Sequence, residues 1–344
     1  MNHKPKKILI ISFGSIAKRH LRNIRTLLPD AQIAILRRHA VQQDIPLGAN
    51  LLFTSFRDAV SFEPDAVIIA SPAHLHIEDA MPFLEKKTPI FLEKPLSHST
   101  HHLDSFVDLC KKSGTFVMVG YILRFLPALL AIHKAIQGGQ LGKIYTGHIQ
   151  VGQYLPDWRP GSDYRKGVSA QSALGGGALL ELSHEIDYAL WLFGDPSHIY
   201  CRAGRASNLE IDVEDNANIF FEYDNSDNHK TVIIQLDFLQ RVPQLTLQIV
   251  GSEATLKADL IRETVMFYDS NLPQGQPFVF EASQDGNEPY LKQFDFFLLK
   301  SFSDYKPRYE STLMHQVFAD VEQAAKVIKL IEKAKASNER GCRV

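Results

Sequence analysis

Residues 8–17 read Ile8-Leu9-Ile10-Ile11-Ser12-Phe13-Gly14-Ser15-Ile16-Ala17: a fully apolar run, then small residues, then the helical spacing of His20–Leu28. Four consecutive apolar residues suit a strand buried on both faces. A glycine-containing turn that opens straight into a helix is the first junction of a doubly wound sheet. A dinucleotide-binding turn has G-x-G-x-x-G at this place, and here only the middle glycine remains. Gly14 is the glycine that lets backbone approach a pyrophosphate, whose charge then meets the N–H groups and positive end of the following helix. Ser12 and Ala17 are small enough to replace the outer two, provided Ser12 tolerates a tight turn. Ser12, Gly14, Ser15 and Ile16 are thus candidate cofactor-binding residues. A plain strand-turn-helix is the alternative, and the position at the first junction favours the cofactor.

Working outward, the apolar runs Ile33–Leu36, Ala66–Ala70, Ile90–Leu92 and Phe116–Val119 alternate with amphipathic stretches at Ile77–Lys86 and His101–Lys112. This order predicts a Rossmann-type parallel sheet, with a ligand crevice beyond the carboxyl ends of its strands. After Tyr121 the texture changes to a helix at Leu126–Gln137, a strand at Ile144–Tyr154 and a long apolar helix from about Ala178 to Phe193. Alternating segments follow at Ala217–Tyr223, Thr231–Phe238 and Leu245–Val250, and a last helix spans about Ser311–Ala336. The expectation is an α/β chain of two domains: residues 1–122 binding NAD(P), and residues 123–344 forming an α+β domain with a mostly antiparallel sheet for substrate and oligomerisation.

Bulk properties agree with a soluble, cytoplasmic protein. At 344 residues the chain has room for two cores. A formal charge of -2 offers no basic field for nucleic acid. Three cysteines, Cys110, Cys201 and Cys342, show no metal-like spacing and suit a reducing compartment. The basic N-terminus leads into an apolar run shorter than the ~7–15 residues of a secretory signal, and no run approaches the ~18 of a membrane span. No membrane partner is expected.

The second strand is followed by Arg37 and Arg38 rather than by the Asp or Glu that binds an unphosphorylated ribose. Two guanidiniums suit a 2′-phosphate, so the cofactor reads as NADP (or NAD), the alternative being that both are solvated edge charges.

Further along stand Ala70-Ser71-Pro72, Glu93-Lys94-Pro95, Gly120-Tyr121, Arg124-Phe125, Pro127, Gly175-Gly176-Gly177, and then Glu181, His184 and Asp187. This set, spread over nearly the whole chain, resembles the Gfo/Idh/MocA oxidoreductases, the family of glucose-fructose oxidoreductase and inositol dehydrogenase. The resemblance implies an NAD(P)-dependent enzyme acting on CH–OH of a sugar, with Lys94 reaching both the reacting hydroxyl and the nicotinamide and a cis Lys94–Pro95 bond. It implies cofactor contacts at Ser71, Pro72, His76, Glu93 and Lys94, and gives His184 the part of proton acceptor. Such chemistry needs these groups: a cation beside the oxygen stabilises developing alkoxide charge, and a base takes the hydroxyl proton. Histidine has a suitable ordinary pKa. The central expectation is an ammonium and an imidazole meeting on one alcohol beside the nicotinamide. Many relatives carry an aspartate four residues before this histidine; here that position is Leu180, and Glu181 is the candidate substitute, which makes Lys94, His184 and Glu181 the catalytic set.

Candidate substrate-binding residues are Tyr121, Arg124 and Asp187, with Trp158, Arg159, Tyr164 and Arg165 in the loop from Tyr154 to Lys166. Aromatic faces pack on sugar C–H surfaces, and arginine forks grip carboxylate or phosphate. Trp158 and Tyr164 could instead cover the core. The loop resembles a branch acting on nucleotide sugars or acidic sugars of cell-surface polysaccharide. Two other functions stay open: a transient-redox lyase or hydrolase that recycles its cofactor, and a non-catalytic cofactor-dependent sensor. The pair His74 and His76 lacks a carboxylate or thiolate at ligand spacing, and His98, His101 and His102 sit at a helix start among capping candidates, so no metal is expected. An antiparallel sheet with one helix-covered face predicts a homodimer or homotetramer.

Overall fold

The computed structural model describes residues 4–38, 44–225, 228–309 and 317–344. In chain order its elements begin with β1 (Lys7–Ile11), α1 (Ser15–Leu27), β2 (Gln32–Leu36), β3 (Leu51–Phe53), α2 (Phe56–Ser61), β4 (Ala66–Ile69), α3 (His76–Glu85), β5 (Ile90–Leu92), α4 (Leu103–Ser113) and β6 (Val117–Val119). There follow α5 (Pro127–Gln137), β7 (Ile144–Gly152), α6 (Ala178–Glu181), α7 (Ser183–Phe193), β8 (His198–Gly204), β9 (Asn216–Asn225), β10 (Asn228–Asp237) and β11 (Gln244–Gly251). The last are β12 (Ala254–Asp259), β13 (Thr264–Asp269), β14 (Gln276–Pro277), α8 (Glu288–Ser301), β15 (Ala319–Asp320) and α9 (Val321–Arg340).

Two compact units result, one of residues 1–125 with 285–326, the other of residues 126–284 with 327–344. The first differs from the expected 1–122 domain because the chain returns to it. α8 packs on α1, and β15 adds antiparallel to the edge strand β6. α8 is an element that the apolar periodicity does not predict. Its residues Gln293–Leu298 are all buried, polar Gln293 and Asp295 among them, so its middle shows no alternation of polar and apolar faces. Its aromatics cluster with Phe91, 5.9 Å from Phe294 and 5.7 Å from Phe297.

Among the described residues the first unit's sheet runs β15-β6-β5-β4-β1-β2-β3, parallel except at β15. Ile8–Ile11, Ile33 and Val67–Ile69 have no solvent exposure, and each such side chain contributes roughly 1.5–3 kcal/mol of burial. Strand order reverses between β1 and β4, which puts the switch-point crevice at their carboxyl ends.

The second unit's sheet runs β14-β13-β12-β11-β7-β10-β9-β8; β7 and β10 are parallel, and the other pairs are antiparallel. α7 lies against β7 and β10. The long helix expected over 178–193 is interrupted at Leu182 (φ -100, ψ 31), separating α6 from α7. The final helix begins at Val321, ten residues later than its expected start; residues 311–316 of that expectation lie outside the described residues. Among the described residues no helix is long and apolar enough to cross a membrane.

Candidate functional site

In the first unit, the turn after β1 takes the conformation its composition makes awkward. Ser12 has φ 75, the left-handed region where a glycine would be relaxed, and its N–H donates to Leu36 O at 2.9 Å. Gly14 is exposed, and a Cβ built on it would meet nothing within 4 Å, so the space before it is open. α1 begins here with no side-chain cap and no acidic residue in its first turn. Its first intrahelical bond runs from Lys18 N to Gly14 O, leaving the N–H groups of Ser15, Ile16 and Ala17 for an outside acceptor. These residues fit the diphosphate of a dinucleotide.

At the end of β2, Arg37 is half-buried and its N–H donates to Phe53 O. Arg38 pairs with Asp79 of α3 and lies over the Phe56 ring at 4.8 Å. Asp79 has no exposure and accepts a second bond, 2.7 Å, from the Ser71 hydroxyl. Ser71 and Arg38 therefore meet through a carboxylate that sequence reading missed; an acidic residue on a buried helix face was its signal. Pro72, next to Ser71, is half-buried.

Beyond β5, Glu93 is buried and Lys94 half-buried, and the Lys94–Pro95 bond is cis. Glu93 Oε1 lies 2.6 Å from His20 Nε2, and Oε2 accepts the Lys94 N–H at 3.3 Å. A Cβ at Gly120 would stand 3.2 Å from Oε2, so that glycine makes room for the carboxylate. His20 was missed as well; it interrupts the apolar stripe of α1 formed by Ala17, Leu21 and Ile24, and its ring sits edge-on to Phe91. His76 is buried with Nε2 2.7 Å from Ser71 O and Nδ1 2.8 Å from Pro95 O. Both ring nitrogens thus face protein carbonyls, whereas sequence reading offered this residue to the cofactor. Burial pushes its pKa below the ordinary histidine value, against the pull of those two carbonyls.

Tyr121 is fully buried. Arg124, expected at substrate, is buried too, and its Nη1 donates to Gln323 Oε1 at 2.8 Å and to Phe318 O at 3.3 Å. It braces the short turn after β6 against the start of α9.

In the second unit, Gly175-Gly176-Gly177 leads into α6. Gly177 has φ +103, and a Cβ there would fall 2.5 Å from the Glu214 carboxylate, which accepts the Leu179 N–H at 3.0 Å. Burial raises the Glu214 pKa. Glu181 ends α6 and accepts a 2.8 Å bond from Ser169 Oγ; the break at Leu182 places it on a different helix from His184. His184 is half-buried and Asp187 buried, three residues apart on α7 and so on one face.

The loop after β7 lines an open cavity of about 320 Å³, with Trp158, Arg159, Tyr164, Lys166 and Ser169 on its walls. Ser169 thus joins this cavity to Glu181. Trp158 is fixed, its Nε1 donating to Gln153 O at 3.1 Å and its ring edge-on to Phe238 at 5.1 Å. Tyr164 OH accepts the Glu210 N–H. Arg165 is held by Asp163 at 2.8 Å and Glu210 at 3.0 Å, and it draws the Asp163 pKa below the ordinary carboxylate value. Arg159 is exposed and has no ion pair among the described residues. Of the two arginines of this loop, Arg165 is thus engaged by carboxylates and Arg159 is not, among the described residues.

His74, His98, His101 and His102 line a separate cavity of about 710 Å³ between α3 and α4. Among the described residues no group of three or more His, Cys, Asp or Glu is arranged to hold a metal ion.

Residues 6–121 match the model of an oxidoreductase family with an NAD-binding Rossmann fold, and residues 129–257 match the GFO/IDH/MocA C-terminal domain. YhhX of Escherichia coli, an uncharacterized oxidoreductase, is 29% identical over 194 residues, 55% of this chain and 54% of its own. The 2,7-anhydro-N-acetylneuraminate hydratase of Mediterraneibacter gnavus is 24% identical over 197 residues, 57% of this chain and 51% of its own. The chain thus spans about half the length of these two curated relatives. The solved WlbA dehydrogenase of Bordetella pertussis, in complex with NADH and UDP-GlcNAcA, shares the fold at a TM-score of 0.76 and 18% identity, over 100% of this chain and 98% of that one.

Proposed function

This chain belongs to the Gfo/Idh/MocA oxidoreductase family, and from that premise we propose that it transfers a hydride between a nicotinamide dinucleotide and a hydroxyl-bearing carbon of a sugar, preferably a nucleotide-linked or acidic one. The observation that carries the reading is Lys94, which leaves the carboxyl end of β5 in the same unit as the open Gly14 turn and the bare N-terminus of α1. A bound nicotinamide would supply the two-electron acceptor for the hydride of the alcohol carbon.

The chain's own residues do the rest. The N–H groups of Ser15 and Ile16 would hold the diphosphate, and Arg37 would meet the ribose, with NADP preferred. Lys94 stabilises the oxygen as its charge develops, and His184 takes the hydroxyl proton. Glu181, held by Ser169, orients the substrate or the histidine. Arg159 grips an anionic group of the substrate while Trp158 offers an apolar wall. The solved relative bound to UDP-GlcNAcA supports a nucleotide sugar as the class to try first.

A homodimer or homotetramer forms through the face of the second sheet opposite α7, where Thr146, His148 and Gln150 of β7 and Thr231, Ile233 and Gln235 of β10 remain at least partly exposed. The activity is tested by following reduced nicotinamide with UDP-linked sugars, free uronic acids and myo-inositol. Accumulation of reduced cofactor with one class supports the reading. Product formed without net redox change points to the cofactor-recycling route, and cofactor binding with no product from any sugar contradicts the enzyme.

A further inference from the structure

Two buried histidines hold the chain on either side of Lys94. On the N-terminal side, His20 of α1 fixes Glu93 through the 2.6 Å Nε2–Oε1 bond, and the other oxygen of that carboxylate takes the Lys94 N–H. On the C-terminal side, His76 of α3 has Nδ1 2.8 Å from Pro95 O and Nε2 2.7 Å from Ser71 O, and in the Nδ1–H tautomer the neutral ring donates its one N–H to Pro95 O. His20 and His76 are each 1% exposed, so neither bond competes with bulk water. Nothing comparable is needed to fold a strand end, whose backbone is already paired through β4 and β6.

We propose that His20 and His76 are positioning residues for Lys94, locking the backbone on both sides of it so that its long side chain leaves β5 from one fixed origin. A lysine has a flexible four-carbon stem, and its ammonium can be aimed only as well as its Cα is held. Neither histidine touches the reacting atoms; each acts through a neighbour in sequence of the residue that does. The inference rests on the reading of Lys94 as the group that meets the substrate oxygen.

The test uses the full-length protein with reductively ¹³C-methylated lysines, a readout that needs no turnover. The Lys94 resonance is identified by its loss in Lys94→Ala. It is expected to shift and broaden in His20→Ala and in His76→Ala, and to return toward its original position in His20→Gln, which restores a donor to Glu93, and in His76→Asn, which restores one to Pro95. An unmoved Lys94 signal in both alanine variants, with native melting, overturns the proposal. In kinetics, His20→Ala is expected to lower kcat at least about tenfold, as a small misplacement of a reacting group does, with the Kd for NADH changed less than about threefold. The same substitution on a Lys94→Ala background should cost less than about twofold, because no ammonium is left to aim. An equal loss in both backgrounds marks a merely structural histidine and overturns the proposal. Should the wild type turn over no sugar while the resonance behaves as described, the enzymatic reading fails and takes the catalytic part of the proposal with it, leaving only that the two histidines fix the origin of the Lys94 side chain.

Discussion

The guanidinium of Arg38 is paired with Asp79, a carboxylate with 0% exposure that also accepts the Ser71 hydroxyl. An arginine so engaged ties the end of β2 to α3 and is poorly placed to take on a phosphate. Of the two arginines that point to NADP, Arg37 is therefore the one left for the cofactor. Arg37→Ala should raise the KM for NADPH about tenfold and that for NADH no more than about twofold, on the scale of one charge-assisted contact. A larger loss for NADH would defeat the preference for NADP. Arg38→Ala strands a buried carboxylate, so its main effect should be a loss of about 3 kcal/mol in stability, read by urea unfolding.

Glu181 and the loop cavity share Ser169. Ser169→Ala removes the 2.8 Å bond to the carboxylate and should lower kcat/KM by about three- to tenfold, corresponding to a hydrogen bond of about 1 kcal/mol. Steady-state kinetics on the accepted sugar checks it; wild-type kinetics would detach Glu181 from its proposed part.

Glu214 gives a pH signature. Burial raises its pKa in the folded protein, so the native state holds a proton that the unfolded chain releases at lower pH. Stability should then fall as pH rises from the ordinary glutamate value through the raised one. Glu214→Gln keeps an acceptor for Leu179 N–H without the charge, and should flatten that slope and match or exceed the wild type at neutral pH. Melting temperatures measured across the acidic range test both.

Much of the first unit was legible because a buried parallel strand has no polar residue to obscure it; Ile8–Ile11 and Ala66–Ala70 needed no tertiary information. α8 was not, since the six consecutive buried residues Gln293–Leu298, which go right round the helix and include polar Gln293 and Asp295, leave no period to read. Gly14, Ser71, Glu93 and Lys94 stood out by chain position. Their partners His20 and Asp79 did not, because a polar residue within an apolar stripe means nothing until the structure shows what it faces. A single helix over Ala178–Phe193, as expected, would set Glu181 and His184 three residues apart on one surface, and the break at Leu182 removes that spacing. In the substrate loop, composition showed two arginines alike; only the coordinates distinguish the paired Arg165 from Arg159.

The cysteines should behave as three independent thiols. Burial pushes Cys110 and Cys201 each up to about 12, so both stay protonated at mildly alkaline pH, whereas Cys342 is exposed. Titration with a thiol reagent should find one fast-reacting group in the native protein and three after denaturation. Two or more fast groups would contradict the packing around α4 and β8.

The chemistry itself is tested most directly by rates of nicotinamide reduction on the accepted sugar in the wild type, Lys94→Ala and His184→Ala, with NADH affinity measured alongside. Each substitution should lower kcat about 100-fold or more while the cofactor still binds and the protein still melts cooperatively, the range expected for groups that stabilise charge or move a proton. Near-wild-type turnover in both variants would contradict the account.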